Sequence, residues 1–412
     1  MIQDIPFCFK DRNEDYLIIG KLQEFCKENN LRTSLDKVEL INSIIEFARI
    51  NDLNSEKVSK WLDCTLKEGV KKLIIAKLEG VRPYRNKNLE EWIGIINEVF
   101  NVDSSRYIID GEHTNELNLC GYDFTIDDNN KVERVSLRYT ILLKEMKNSN
   151  MPMATIIYPI FVDIYVNSGY IIGRSKSKSS IWKFITLERD GVTIDEETSS
   201  VNCDKLINEA INYTINSFQF SREDIGAGLH RFKSIVHKIV DECTKTPTEI
   251  QERLDSEECY RIKFVKSFLE RQGIDLLSGE NYKNALEDLT VLMEKYISIN
   301  HEDKDIFTRD RYAYPIQISA TDEDSSSVEE TSLEDKPLQC TPIFFDNKKV
   351  IQKQKKCDDV VMVFKRGVRK YFTNDTFQVI IKVKKGEMHI DLRKYVLEED
   401  IENVLSRVIR CN

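Results

Sequence analysis

The chain has 412 residues, 41% of them hydrophobic and 9% aromatic, with only 15 Gly and 8 Pro, which excludes a disordered or fibrous protein and leaves room for two or three domains. Its 60 Lys and Arg against 70 Asp and Glu give a net charge of -10, an average that speaks against a nucleic-acid or anionic-membrane partner. The first residues lack the basic-then-apolar layout of a secretion signal, and no apolar run reaches bilayer-spanning length. The ten cysteines form no C-x-x-C pair and no Cys/His cluster, so the expectation is a cytoplasmic protein with reduced thiols, no structural zinc and no membrane partner.

In chain order, residues 1–101 read as a helical domain. Leu17, Ile18, Leu22, Phe25 and Cys26 recur at helical spacing, as do Val38, Leu40, Ile41, Ile44, Ile45 and Ala48. Further helices are expected over Val58 to Leu78, with Asn54 and Ser55 as its cap, and over Leu89 to Phe100. Residues 102–200 read as an antiparallel sheet domain. Val135, Leu137, Tyr139 and Ile141 alternate with Arg134, Ser136, Arg138 and Thr140, the pattern of a strand with one buried face. Strands follow over Ile156 to Val166 and Tyr170 to Lys178, joined by Asn167, Ser168 and Gly169.

Helical periodicity returns over residues 201–300, where Thr246, Pro247 and Glu249 supply a cap, a first-turn proline and an acidic first turn. Residues 301–412 read as a C-terminal sheet and helix. Its first strand spans Tyr312 to Ser319. Residues 321–336 then form an acidic loop without apolar periodicity. Phe377 to Val383 and Met388 to Leu392 alternate on either side of a two-residue turn at Lys385 and Gly386, and a helix closes the chain over Leu397 to Val408. The fold class is α+β: an N-terminal helical bundle followed by an antiparallel sheet domain with a helical insertion.

The segment Leu22 to Ile44 resembles the SAP motif, a helix-extension-helix DNA-binding module, through Leu31, Arg32, Thr33, Ser34, Leu35, Asp36, Lys37, Val38, Glu39, Leu40 and Ile41. Leu35 stands where that family has Gly, and Ser43 where a basic residue is common. The resemblance implies two short helices around an extended loop, with Arg32, Thr33, Ser34 and Lys37 against DNA phosphates. The layout of a helical bundle followed by a sheet with a long hairpin is also similar to the centromere protein N family of kinetochore proteins, whose members bind nucleosomal DNA. That likeness is architectural and carries no diagnostic motif.

Positive charge is unevenly spread. Arg174, Lys176 and Lys178 alternate with serines, which in a strand would place three cations on one face at roughly 6–7 Å intervals, a ladder suited to a phosphate backbone. Arg134 and Arg138 on a neighbouring strand would extend the patch. Lys348 to Lys394 holds fourteen basic against five acidic residues, Lys382 and Lys384 among them, and directly follows the acidic loop, which on this expectation folds over it and competes with nucleic acid.

Signatures for nucleotide-binding loops, nucleophile elbows and zincins are missing, and no cofactor is implied. One catalytic pattern remains: Glu145, Met146 and Lys147 form an E-x-K that, with Asp123 or Asp110 upstream, would match the Mg²⁺-holding set of restriction-type nucleases. The leading expectation is a non-enzymatic DNA-binding protein contacting duplex phosphates without sequence readout. The alternatives are a Mg²⁺-dependent nuclease-type effector in defence against mobile DNA, using Asp123, Glu145 and Lys147, and a protein-interaction subunit of a larger complex.

Overall fold

The computed structural model describes residues 4–11, 14–102, 104–147, 152–189, 192–274, 279–321, 327–332, 336–367 and 371–410. It is an α+β fold. Four helices open it: α1 (Phe7–Lys10), α2 (Ile19–Glu28), α3 (Lys37–Ile50) and α4 (Asp52–Leu66). The Asp36 side chain caps α3 by accepting from the Val38 and Glu39 amides. The cap of α4 is Asn51, whose side chain accepts from the Asn54 amide, and not Asn54 or Ser55. Leu22 and Phe25 of α2, Leu40 and Ile44 of α3, and Val58 and Leu62 of α4 close one apolar core, with Phe25 against the Trp61 ring at 4.7 Å.

The helix expected to continue to Leu78 ends twelve residues earlier. Gly69, at φ +105°, turns the chain into strand β1 (Gly69–Glu79). Leu73, Ile74, Ile75 and Ala76 are all buried, so this apolar run is covered on both faces of a strand, where a helix would have exposed one side. After it come α5 (Leu89–Phe100), β2 (Asn118–Ile126), β3 (Val132–Glu145), β4 (Ala154–Tyr165), β5 (Tyr170–Lys176), β6 (Ile181–Arg189), β7 (Val192–Val201), α6 (Cys203–Ser217) and β8 (Ser221–Arg222). The remainder is α7 (Ile225–Cys243), α8 (Thr248–Ser256), α9 (Glu258–Arg271), α10 (Glu280–Ile299), β9 (Ala313–Thr321), β10 (Ser327–Thr331), α11 (Pro342–Gln354), β11 (Asp359–Lys365), β12 (Thr376–Lys384), β13 (Glu387–Val396) and α12 (Glu398–Arg410). Among the described residues no helix is long and apolar enough to cross a membrane.

The chain divides into two compact units, residues 1–229 with 367–375 and 384–409, and residues 230–366 with 376–383 and 410–412. The helical residues 1–101 and the sheet residues 102–200 thus belong to one unit. Its sheet runs β13-β1-β5-β4-β3-β6-β7, with β2 also on β3 and β8 on β1, and the pairings given are antiparallel. Residues on both faces of β3 are buried: Val135, Leu137 and Tyr139, but also Ser136, Arg138 and Thr140. The expectation of one open face fails because two layers cover the sheet. One face packs on α5 and α6 through Trp92, Ile96, Ile207 and Ile211, and Phe161 on the other joins the core of α2, α3 and α4.

In the second unit the order is β10-β9-β11-β12, again antiparallel. Ser327–Thr331 pairs along β9, so part of the expected acidic loop is a strand held by backbone bonds; residues 322–326 and 333–335 lie outside the described residues. Strand β11 and helix α11, with Pro342 in its first turn, also fall where no element was expected. Pro247 occupies the cap position of α8, while the Thr246 hydroxyl instead donates to Glu294 at 2.6 Å. The turn between β12 and β13 is as expected, with Lys385 at φ 54° and Gly386 at φ 76°.

One close approach within the first unit is at Gly173 on β5. A Cβ there would lie 2.5 Å from Ile207 Cγ2 and 2.9 Å from Ile211 Cδ1, so the sheet and α6 approach through a missing side chain. Gly173→Ala is expected to cost about 1–3 kcal/mol by overpacking, read as a lower urea midpoint at unchanged slope.

Candidate nucleic-acid interface

The segment resembling a SAP motif does form helix, loop and helix, with α2 and α3 around residues 29–36. Arg32 and Thr33 are exposed on the loop. Ser34 is engaged locally: its hydroxyl donates to Glu39 Oε2 at 2.6 Å and accepts from the Asp36 amide at 3.0 Å, while its carbonyl accepts from Gln23 at 2.8 Å. The Asp36 carboxylate already occupies the amides that open α3, at 2.7 Å from the Val38 nitrogen. A phosphate approaching this helix end would meet two carboxylates in place of free N–H groups. Lys37 is turned inward, donating to the carbonyl oxygens of Asp11 at 2.8 Å and Glu14 at 2.9 Å, and burial lowers its pKa.

The strand cations do meet Lys37, but beneath the surface. Lys176 donates to Glu14 Oε2 at 2.7 Å and pairs with Asp15, and its ammonium sits 3.9 Å from the centre of the Tyr16 ring. Lys178 pairs with Glu14 Oε1 at 2.9 Å and with Glu145. Lys147 pairs with Asp11 and lies 3.6 Å from Glu14. Three lysines from β5 and the segments after β3 and β5 therefore meet the carboxylates of Asp11, Glu14 and Asp15, Lys37 of α3 takes two carbonyl oxygens of the same stretch, and Glu145 completes the balance. Burial alone would raise the Glu14 carboxyl, but Lys176 and Lys178 outweigh it and hold its pKa below the usual value. Burial would lower the Lys147 ammonium, but Asp11 and Glu14 raise it.

The remaining strand cations are tied up in the same way. Arg174, 1% exposed, makes a two-pronged contact with Glu398 at 2.7 and 2.8 Å and lies 3.5 Å from Asp163. Arg138, also buried, lies 3.1 Å from Asp63, pairs with Asp123 and donates to Ser105 at 2.9 Å. Arg134 pairs with Glu402 and reaches the Tyr165 hydroxyl at 3.3 Å. The expected phosphate ladder is corrected on physical grounds: helical layers cover both faces of the sheet and every residue of β5 is buried, so its side chains face packed layers on either side. Two cations stay open. Lys382, 54% exposed, is 3.5 Å from Asp359; Lys384, 49% exposed, is 3.1 Å from Asp204 at the start of α6. Lys72 and His389 also face Asp204, which His389 and Lys384 hold well below the carboxylate range.

The nuclease set is not assembled. Asp123 is registered opposite Ser136, nine residues from Glu145 along β3, which is about 30 Å of strand. Asp123 is bound to Arg138, Asp110 to Ser59 and Lys147 to Asp11, so Asp123 and the E-x-K pair cannot share one Mg²⁺. Among the described residues no group of three or more His, Cys, Asp or Glu is placed to hold a metal.

No family model matches the chain, and none of the curated proteins matches it significantly. The likeness to SAP modules rests on the Leu22 to Ile44 segment alone. Sequence reasoning missed Asp11, Glu14 and Asp15, although the D-R-N-E-D run ahead of the first long helix was a visible signal of an acidic partner for nearby lysines.

Two measurements follow from this cluster. Glu14→Gln leaves Lys176 and Lys178 short of a counter-charge and should cost about 3 kcal/mol near pH 7. Because the folded Glu14 pKa is depressed, its contribution is present above its ordinary value of 4.5 and is lost as pH falls below it, so the wild-type and variant unfolding curves should converge in acid. Lys71, 1% exposed and donating to the Leu66 carbonyl at 2.6 Å, has its pKa lowered to about 7 by burial and by Arg174 and Lys176. Between pH 7 and 10.5 the unfolded chain holds the extra proton, so this residue makes stability rise with pH; Lys71→Met should flatten that rise and raise the unfolding midpoint at pH 6.

Proposed function

We propose that the chain is a non-enzymatic subunit of a protein assembly that works through surface recognition. The observation that carries this is the outer face of α9, where Tyr260, Phe264 and Phe268 are 71%, 61% and 50% exposed on a helix whose other side is packed. The cations expected to bind phosphate support the same reading, since eight of those nine have a carboxylate or carbonyl partner within the protein. A cytoplasmic setting belongs to the proposal and is supported by the cysteines of the described residues, all of which are free thiols.

DNA binding is the second reading, favoured by the exposed Arg32 and Thr33 on the loop between α2 and α3. Contact there involves one arginine and one hydroxyl, with Asp36 and Glu39 close by. It is therefore weak, with a shallow salt dependence.

A gel-shift series with duplex DNA over a range of salt concentrations, with and without Mg²⁺, separates these readings. The expected result is retention only at low salt, a log–log slope near 1 that Arg32→Ala removes, and intact DNA with Mg²⁺. A slope of about 4 or more would make DNA the principal ligand and overturn the assembly reading. Mg²⁺-dependent loss of substrate would overturn the non-enzymatic one.

A further inference from the structure

The α9 face has a symmetry of its own. Tyr260, Phe264 and Phe268 lie four residues apart, and Glu257 and Arg271 lie seven residues before and after Phe264. At about 100° per residue all five fall within an arc of about 80° on the outer side. Arg261, Val265 and Leu269 are buried on the inner side and fix the helix in its unit, while Glu257, Lys263, Lys266 and Arg271 are exposed. The Phe264 and Phe268 rings stack at 6.3 Å with planes 10° apart, so the stripe is already ordered.

We propose that this face pairs with the same face of a second copy of the chain, antiparallel about a two-fold axis at Phe264. In that arrangement a residue n places before Phe264 meets the residue n places after it on the other copy. Tyr260 then packs on Phe268, Phe264 on its own symmetry mate, and Glu257 meets Arg271, each contact made twice. The pairing explains why the spacing is palindromic while the end charges are opposite. A parallel pairing would set Glu257 against Glu257 and Arg271 against Arg271. Three aromatic side chains per copy, each about 150–250 Å² in full and at least half exposed, supply roughly 550–900 Å² over the two copies, below the area of stable specific interfaces. The dimer is therefore concentration-dependent, with a dissociation constant roughly micromolar or weaker.

The inference rests on α9 being the docking face of the proposed assembly subunit, and its test reads a different quantity from the gel shift. Sedimentation velocity of the full chain, from low to high micromolar concentration, should show a monomer–dimer equilibrium. Phe264→Asp, at an exposed position and with an unchanged circular dichroism spectrum, should stay monomeric throughout. Glu257→Arg and Arg271→Glu should each weaken the dimer about tenfold, and combining them should restore it to within about threefold of wild type. A monomeric wild type, a Phe264→Asp variant that dimerises as before, or a double variant weaker than either single change would each overturn the self-pairing. The assembly reading itself falls on the separate finding of steep, salt-dependent DNA retention.

Discussion

The first unit is organised around the carboxylate of Glu14. It lies between Lys176 and Lys178 with Lys147 at 3.6 Å, and its own carbonyl holds Lys37. These partners come from three separate parts of the chain, so one acidic residue ties α3, the end of β3 and the end of β5 to the stretch that precedes α2. Each of these ammonium groups would be costly to cover alone, because a buried charge without a partner loses several kcal/mol of hydration. Together, four lysines and Asp11, Glu14, Asp15 and Glu145 are neutral. The helices that cover this part of the sheet therefore leave no net charge in the cluster.

Arg174 and Arg138 repeat the principle on the same unit. Arg174 binds Glu398, the first residue of α12, and Arg138 binds Asp63 near the end of α4. Each guanidinium sits on a strand and each carboxylate on a covering helix, so the ion pairs set which part of a helix lies over which strand. Apolar packing through Phe161 and the α2–α4 core brings the layers together but is less selective about register. The directional, two-pronged Arg174–Glu398 contact supplies that selectivity.

Where local periodicity decides structure, the sequence was legible: α2, α3, β3, β4 and the turn at Lys385 and Gly386 follow from apolar spacing and turn chemistry. Strand β1 was not, because Leu73 to Ala76 between lysines satisfies both a helical face and a strand buried on two sides, and only the neighbours β13 and β5 decide between them. Strand β10 has no apolar stripe of its own; its backbone bonds to β9 make it a strand. At the candidate site, residue type and convergence were readable but direction was not. Alternation puts Arg174 and Lys176 on one face of β5 whether that face meets water or a helix. The covering layers come from α2 to α4 and from α12, at opposite ends of the chain, so no local pattern around residue 174 could report them.

The covered ion pairs also explain why a charge of -10 is a sound guide to the surface. Removing balanced pairs from the surface removes equal numbers of cations and anions, so the charges left facing water carry the whole of the acidic excess. A polyanion is repelled by that excess at distances near the Debye length of about 10 Å in ordinary salt, before any short contact can form. Two such surfaces also repel each other, though weakly at that range, and an apolar contact overcomes this more readily when cations lie beside it. Along α9, Lys263, Lys266 and Arg271 are exposed against Glu257, Glu258 and Glu270, and Arg271 lies within the arc of the aromatic stripe. The helix is locally balanced on a chain that is not, which is the electrostatic condition under which exposed rings can meet a like-charged partner.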